Sequence, residues 1–200
     1  MKEIVTAEDV WAAPAGSELH ASVGAVVTPW AQEVAASRGV RIVQAPRGEP
    51  SRVIALGADH GGFALKEEIR KGLERQGVPC RDFGTYSTEP VDYPDLALAV
   101  ARAVRRGEAA AGILVDGAGI GSSMAANKVP GVRAALCVDV AAAKNAREHN
   151  DANVLTLGSK FVDAARAQEI VAAFLGSRCT EERHQRRVAK ITAIEESFSK

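Results

Sequence analysis

Cysteine is scarce in this chain of 200 residues: Cys80, Cys137 and Cys179 are the only three. They are too few and too scattered for a disulfide framework, and no Cys-x-x-Cys pair marks a zinc site. Long apolar runs are also missing. None approaches the roughly 20 residues that span a bilayer, and the amino terminus MKEIVTAEDVW is acidic where an export signal is basic and then apolar. An excess of one charge is absent too, since 25 basic and 25 acidic residues cancel. Neither a nucleic acid nor a membrane is therefore an expected partner. Internal repeats and low-complexity segments are lacking. These absences point to a cytoplasmic protein in a reducing compartment. With 46% hydrophobic residues it has enough core for one main domain, and any anion binding must be local.

From Val53 onward, short β-rich runs alternate with longer runs of helical period, the pattern of a parallel sheet covered by helices on both faces. Strands are predicted at 53–57, 78–83, 112–116, 133–138 and 154–157. Leu65, Ile69 and Leu73 recur at helical spacing over 63–76, and Leu96, Val100 and Val104 do so over 95–106; Gly77 and Gly107 stop these helices. Further helices are predicted at 122–128, 140–149, 163–175 and 181–196. The expected fold class is α/β: a Rossmann-like, doubly wound, five-stranded parallel sheet, whose ligands bind outside the carboxyl ends of the strands. Residues 1–50 read as a small N-terminal α/β extension and linker, and residues 51–200 as the main domain. In the extension, Thr28-Pro29 starts a helix, Gly39 stops it, and Val40 to Val43 form a short strand. The stretch 45–51 reads as the linker. So small a unit buries little core alone, so it packs on the main domain or at an oligomer interface, or docks onto something else.

Four places carry candidate chemistry. The first strand runs into Gly57-Ala58-Asp59-His60-Gly61-Gly62, an acid and an imidazole followed by glycines that admit a ligand to the backbone. The bland alternative has Asp59 capping the next helix and His60 on the surface. The third strand ends at Asp116 and enters Gly117-Ala118-Gly119-Ile120-Gly121-Ser122, a glycine-rich turn at a helix start suited to a phosphate or a developing enediolate. A dinucleotide would need Gly-x-Gly-x-x-Gly after the first strand, and the sixth position here is Ser122, so no nucleotide cofactor is expected. His149 ends a helix, near the carboxyl-end crevice or a subunit boundary, where it serves either as a proton carrier or as a dipole cap. Arg183 and Arg187, four apart, share a helical face and suit a phosphate, although such pairs are often only solvated. His60 and His149 lack metal-ligand spacing, and no metal is expected.

Together, Gly-Ala-Asp-His-Gly-Gly, Asp92-Tyr93-Pro94, the glycine loop with Ala125-Ala126-Asn127-Lys128, His149-Asn150-Asp151 and Arg183-His184-Gln185-x-Arg187 resemble the type B ribose-5-phosphate isomerases. That family also includes the galactose-6-phosphate isomerase subunits, and the resemblance covers about Val53 to Ile194. It implies a cofactor-independent aldose–ketose isomerase acting on a small phosphorylated sugar through a cis-enediol, most readily ribose 5-phosphate, in a homodimer or dimer of dimers with interfacial sites. By the same resemblance Asp59 and His60 bind and open the sugar, the backbone of Gly117, Ala118, Gly119, Ile120 and Gly121 cradles the reacting end, and His149 is an acid/base. Asn150 contacts the sugar, while Arg183, Arg187 and Lys160 hold the phosphate.

Two departures stand out. Asp116 occupies the place of the usual cysteine base, and Ala118 that of a loop threonine. Asp116 is then the expected base, with Ile113, Leu114 and Val115 as the apolar setting that would raise its pKa. The alternative is a chain that keeps the fold without turnover, as a sugar-phosphate-binding or structural subunit. Residues 1–50 resemble segments on enzymes of bacterial microcompartments, implying docking there.

Overall fold

The computed structural model describes residues 4–45 and 51–198; most of the linker predicted at 45–51 lies outside the described residues. The chain divides into two units, the first ending at Pro50 and the second starting at Ser51. The first contains β1 (Ile4–Val5), α1 (Ala7–Ala12), β2 (Glu18–Ser22), β3 (Val26–Val27), α2 (Pro29–Arg38) and β4 (Arg41–Ala45). Strand β1 pairs with β3 and β2 with β4, both in parallel. The Thr28 hydroxyl accepts from the Ala31 N–H, capping α2. Gly39 ends that helix in the left-handed region at φ 64°. Asp9 accepts from the Thr6 backbone N–H and hydroxyl at the start of α1, a short helix that periodicity misses. Val5, Val10, Ala31, Val34 and Val40 form the small core. Both tryptophans, Trp11 and Trp30, are exposed.

The second unit runs β5 (Ile54–Ala58), α3 (Phe63–Arg75), β6 (Cys80–Asp82), α4 (Tyr93–Arg105), β7 (Ala111–Asp116), α5 (Ile120–Ala126), β8 (Ala134–Leu136), α6 (Val140–Asn150), β9 (Val154–Gly158), α7 (Ala164–Gly176) and α8 (Glu182–Phe198). Its five strands lie in the order β6-β5-β7-β9-β8, all parallel. The inner strands β5, β7 and β9 are buried along their whole length, which is why they read as continuous apolar runs rather than alternating ones. Alternate residues feed opposite cores. Leu56, Ile113 and Leu155 face α3, α6 and α7 with Ile69 and Phe174. Ala55, Leu114 and Val154 face α4 and α5 with Val100 and Val129. Each such large aliphatic or aromatic side chain contributes about 1.5–3 kcal/mol by burial.

Lys66 of α3 is wholly buried, with its ammonium paired to Asp82 of β6 and, at 3.2 Å, to Glu67. The Phe63 and Tyr86 rings lie 5.6 and 5.3 Å away. This pair fastens the short edge strand β6 to the helix layer, and removing one partner would strand a buried charge.

Because every strand is parallel, each helix between strands begins at the carboxyl edge of the sheet and ends at the amino edge. Helix α6 therefore delivers His149 and Asn150 to the amino edge, where the next residues tie to the entry of β8: the Arg133 N–H donates to Asn153 Oδ1 at 2.8 Å, and the Arg133 guanidinium to Asp151 at 2.8 Å. Helix α8 stays at that edge, with Glu195 accepting from the Gly131 N–H at 2.8 Å.

Candidate active site

The carboxyl edge holds the first group of candidate residues. Strand β5 ends at Ala58, and the Asp59 N–H donates to the Val115 carbonyl at 3.2 Å, bringing the first loop against the end of β7. Asp59 Oδ1 accepts from the Gly62 N–H at 2.8 Å. Gly62 must lack a side chain, because a Cβ there would overlap the Val115 carbonyl. His60 Nδ1 accepts from the Val91 N–H at 3.3 Å, so a neutral His60 carries its proton on Nε2. From β9, the Ser159 N–H donates to the Asp116 carbonyl at 2.9 Å and the Ser159 hydroxyl to the Gly61 carbonyl at 2.8 Å. The Lys160 N–H donates to the Gly117 carbonyl at 3.2 Å, and the lysine side chain lies beside Gly117. Asp59, His60, the 117–121 loop and Lys160 thus share one rim.

Asp116 differs from the sequence expectation. Its Oδ1 accepts from the Ala118 N–H at 2.7 Å and from the Gly119 N–H, and its Oδ2 accepts from the Ser122 N–H at 2.9 Å. Burial pushes the carboxyl up, but hydrogen bonds from the Ser122 hydroxyl and amide and from the Gly119 and Ala118 amides outweigh it and hold Asp116 below its ordinary value. The apolar setting does not raise the pKa as expected, because the loop amides converge on the charge. The cradle is correspondingly smaller. Ala118 and Gly119 spend their amides on Asp116, while those of Gly117, Ile120 and Gly121 have no acceptor among the described residues. Gly119 turns the loop at φ 75°, and Gly121 packs so close under Tyr93 that a Cβ would lie 2.6 Å from the ring. Tyr93 is a wall of this site, and periodicity alone gave it no role.

The second group lies at the amino edge, about one strand length away: β9 spans five residues at about 3.3 Å each, or roughly 16 Å. His149 stacks on His184 with ring centroids 4.0 Å apart and planes inclined by 12°. Both line a cavity of about 380 Å³ with Arg178, Thr180, Glu181 and Arg183. His184 is 3% exposed, and neither ring nitrogen has a hydrogen-bond partner among the described residues. Burial, together with the facing His149 and the nearby Arg183 and Arg187, lowers its pKa, so it stays neutral. Arg187 lies one turn further along α8. Asn150 lines a separate groove of about 680 Å³ with Asn145, Ala134, Leu136 and Ile191. His149 is therefore not beside the carboxyl-end crevice of its own sheet, because a crossover helix between parallel strands ends at the opposite edge.

His184 is the residue that sequence reasoning passed over. It lies between the two arginines in the quoted motif, but only the stack on His149 shows its place. The remaining thiols near the sheet offer no substitute base: burial pushes both Cys80 and Cys137 up to about 11, so they are protonated at neutral pH. Among the described residues no cluster of His, Cys, Asp or Glu is arranged to hold a metal ion, and no helix is long and apolar enough to cross a membrane.

A family profile described as Ribose/Galactose Isomerase matches residues 54–191. The chain belongs to that family. It is 50% identical over 143 residues to the ribose-5-phosphate isomerase B of Escherichia coli K12, covering 72% of this chain and 96% of that one. Among solved structures, the ribose-5-phosphate isomerase B of Clostridium thermocellum superposes with a TM-score of 0.72 at 48% identity, over 74% of this chain and 99% of that one. The Mycoplasma genitalium ribose-5-phosphate isomerase B with bound ribulose-5-phosphate gives a TM-score of 0.70 at 41% identity, over 73% and 97%. For this member of the family, the match leaves residues 1–53 outside.

Proposed function

We propose that this sugar-phosphate aldose–ketose isomerase interconverts ribose 5-phosphate and ribulose 5-phosphate in the cytoplasm, at sites completed between two copies of the chain. The observation that carries the reading is the division of the candidate residues between opposite edges of one sheet. Asp59, His60, the 117–121 loop and Lys160 lie at the carboxyl edge, while His149, Arg183 and Arg187 lie at the amino edge. A substrate of five carbons cannot bridge roughly 16 Å of strand, so the two groups meet only if a second copy brings its amino edge to the first copy's carboxyl edge. A two-fold dimer does this twice, and a dimer of dimers repeats it.

In such a site the His149 imidazole, which can both donate and accept a proton, exchanges a proton with the ring oxygen and opens the furanose. Arg183 and Arg187 grip the phosphate through their planar forks, with Lys160 as a further cation. Asp59 and His60 take the sugar hydroxyls, and Asn150 borders the sugar. The unspent amides of Gly117, Ile120 and Gly121 stabilise the oxygen that becomes negative in the cis-enediolate. Retention of these groups favours turnover over a silent subunit. Residues 1–50, with Trp11 and Trp30 exposed, act as a docking module, as the resemblance to microcompartment-associated segments suggests.

The test is exchange of the sugar's carbon-bound proton into deuterated water, followed by NMR. Ribose 5-phosphate should exchange and isomerise, and free ribose should do so far more slowly. Arg183→Ala should raise KM for the phosphorylated sugar by about 10–100-fold, the loss expected for one charge-assisted contact. No exchange with any pentose, hexose or tetrose phosphate would refute the reading.

A further inference from the structure

Isomerisation requires a base that takes the proton from the carbon beside the carbonyl, and the structure assigns this base to Asp59 rather than Asp116. The inference rests on the isomerase reading above. Asp116 has both carboxylate oxygens committed to the Ala118, Gly119 and Ser122 amides. Taking up a proton there would break the bonds that shape the loop, and a carboxylate stabilised in this way is a weaker base. The other neighbours are no better placed. Ala118 has no polar side chain, Ser122 is buried with its hydroxyl on Asp116, and a neutral His60 presents Nε2–H, a donor, once Nδ1 has accepted from Val91.

Asp59 is different. It is half-buried at the end of β5, and its Oδ1 accepts from the Gly62 N–H. Oδ2 has no partner among the described residues. A Cβ built on Gly61 would lie 3.4 Å from Asp59 Oδ1 and 3.7 Å from the Gly117 nitrogen. The carboxylate and an uncommitted amide therefore border the same small space that Gly61 leaves open. A base beside a donor aimed at a developing oxyanion is the pairing that enolisation needs.

The step balances without a co-reactant. Asp59 Oδ2 takes the proton from C2 of the open-chain aldose, the C–H pair forms the C1=C2 bond, and the carbonyl π pair moves onto O1, facing the Gly117 N–H. The O2 proton passes to O1, the C2=O bond forms, and Asp59 returns its proton to C1. Asp116 serves as a positioning residue that holds the loop. His60 Nε2–H is left to donate to a sugar oxygen.

The experiment compares Asp59→Asn with Asp116→Asn in the full chain, reading deuterium exchange, turnover of ribose 5-phosphate, affinity for ribitol 5-phosphate, which lacks the carbonyl, and melting temperature. Asp59→Asn can still accept from Gly62, so the fold should hold; ribitol 5-phosphate affinity should fall by less than about tenfold, the share of one hydroxyl contact, while exchange should fall by at least about 10²-fold. Asp59→Glu should recover part of it. Asp116→Asn should melt earlier and lose less than tenfold in exchange at a temperature where it is folded. Near-normal exchange in Asp59→Asn would overturn the assignment. So would a 10²-fold loss of exchange in Asp116→Asn with unchanged melting. A wild-type chain that exchanges no sugar phosphate would instead remove the isomerase reading, and the base with it.

Discussion

If the site is shared, two dead variants should revive each other. Asp59→Asn disables the carboxyl-edge half of a site and leaves the amino-edge half intact; His149→Ala does the reverse. Each homodimer then has two sites with one broken half apiece, and both should be inactive. In a heterodimer the two broken halves fall together in one site, and the other site receives both intact halves. Subunits mixed in equal amounts and allowed to exchange give about half heterodimers, each with one working site of two, so about a quarter of wild-type activity should return. The geometry behind this number is the separation of roughly 16 Å along β9 between the edges, which no rotamer change spans. The assay is turnover of ribose 5-phosphate after the variants are mixed, partly denatured and refolded together, with each variant alone as control. Co-purification through different affinity tags confirms that heterodimers formed. Tagged heterodimers without any recovered activity would refute the shared site, because a site complete within one chain is broken in every subunit of that mixture.

Asp116→Asn puts an amide NH2 against backbone N–H donors. At roughly 1.5–3 kcal/mol for a hydrogen bond to a charged group, the cost is about 2–4 kcal/mol, or about 4–16 °C in melting temperature for a chain of this size. Since the folded carboxyl lies below its ordinary value of 3.8, its contribution is present above about pH 4 and is lost as pH falls through the folded value. The difference between wild type and variant should therefore narrow below about pH 4 in thermal melts. A constant difference across that range would mean that the charge is not what the loop binds. Deleting residues 1–50 should leave turnover within about twofold while abolishing capture by a docking partner, since none of the proposed site residues lies there; loss of turnover together with folding would assign the segment to packing instead.

The sequence by itself determined the architecture of the second unit. Its buried parallel strands had to be continuous apolar runs, as in 112–116 and 154–157, and its helices carried Leu65, Ile69 and Leu73 or Val100 and Val104 at a 3.6-residue period, stopped by Gly77 and Gly107. These signals are local, so they survive in one dimension. In the first unit, α2 was legible from its Thr28 cap and Gly39 stop, whereas α1 and two strands of only two residues were too short to show a period. The family was legible because its motifs are short, ordered segments. What the sequence could not determine is where those segments go. Gly117 to Gly121 read as part of the carboxyl-end crevice and His149-Asn150 as lying near that crevice or at a subunit boundary, and the parallel crossover sends the first to the carboxyl edge and the second to the amino edge. An aspartate beside three apolar residues reads as a raised, basic carboxylate, yet the three loop amides that fix its state come together only when the chain turns at Gly119. The stack of His184 on His149 needs α8 to pack against α6 across 34 intervening residues. Each of these is a long-range or angular fact, and hydrogen-bond direction and strand polarity are properties of the folded chain, not of residue order.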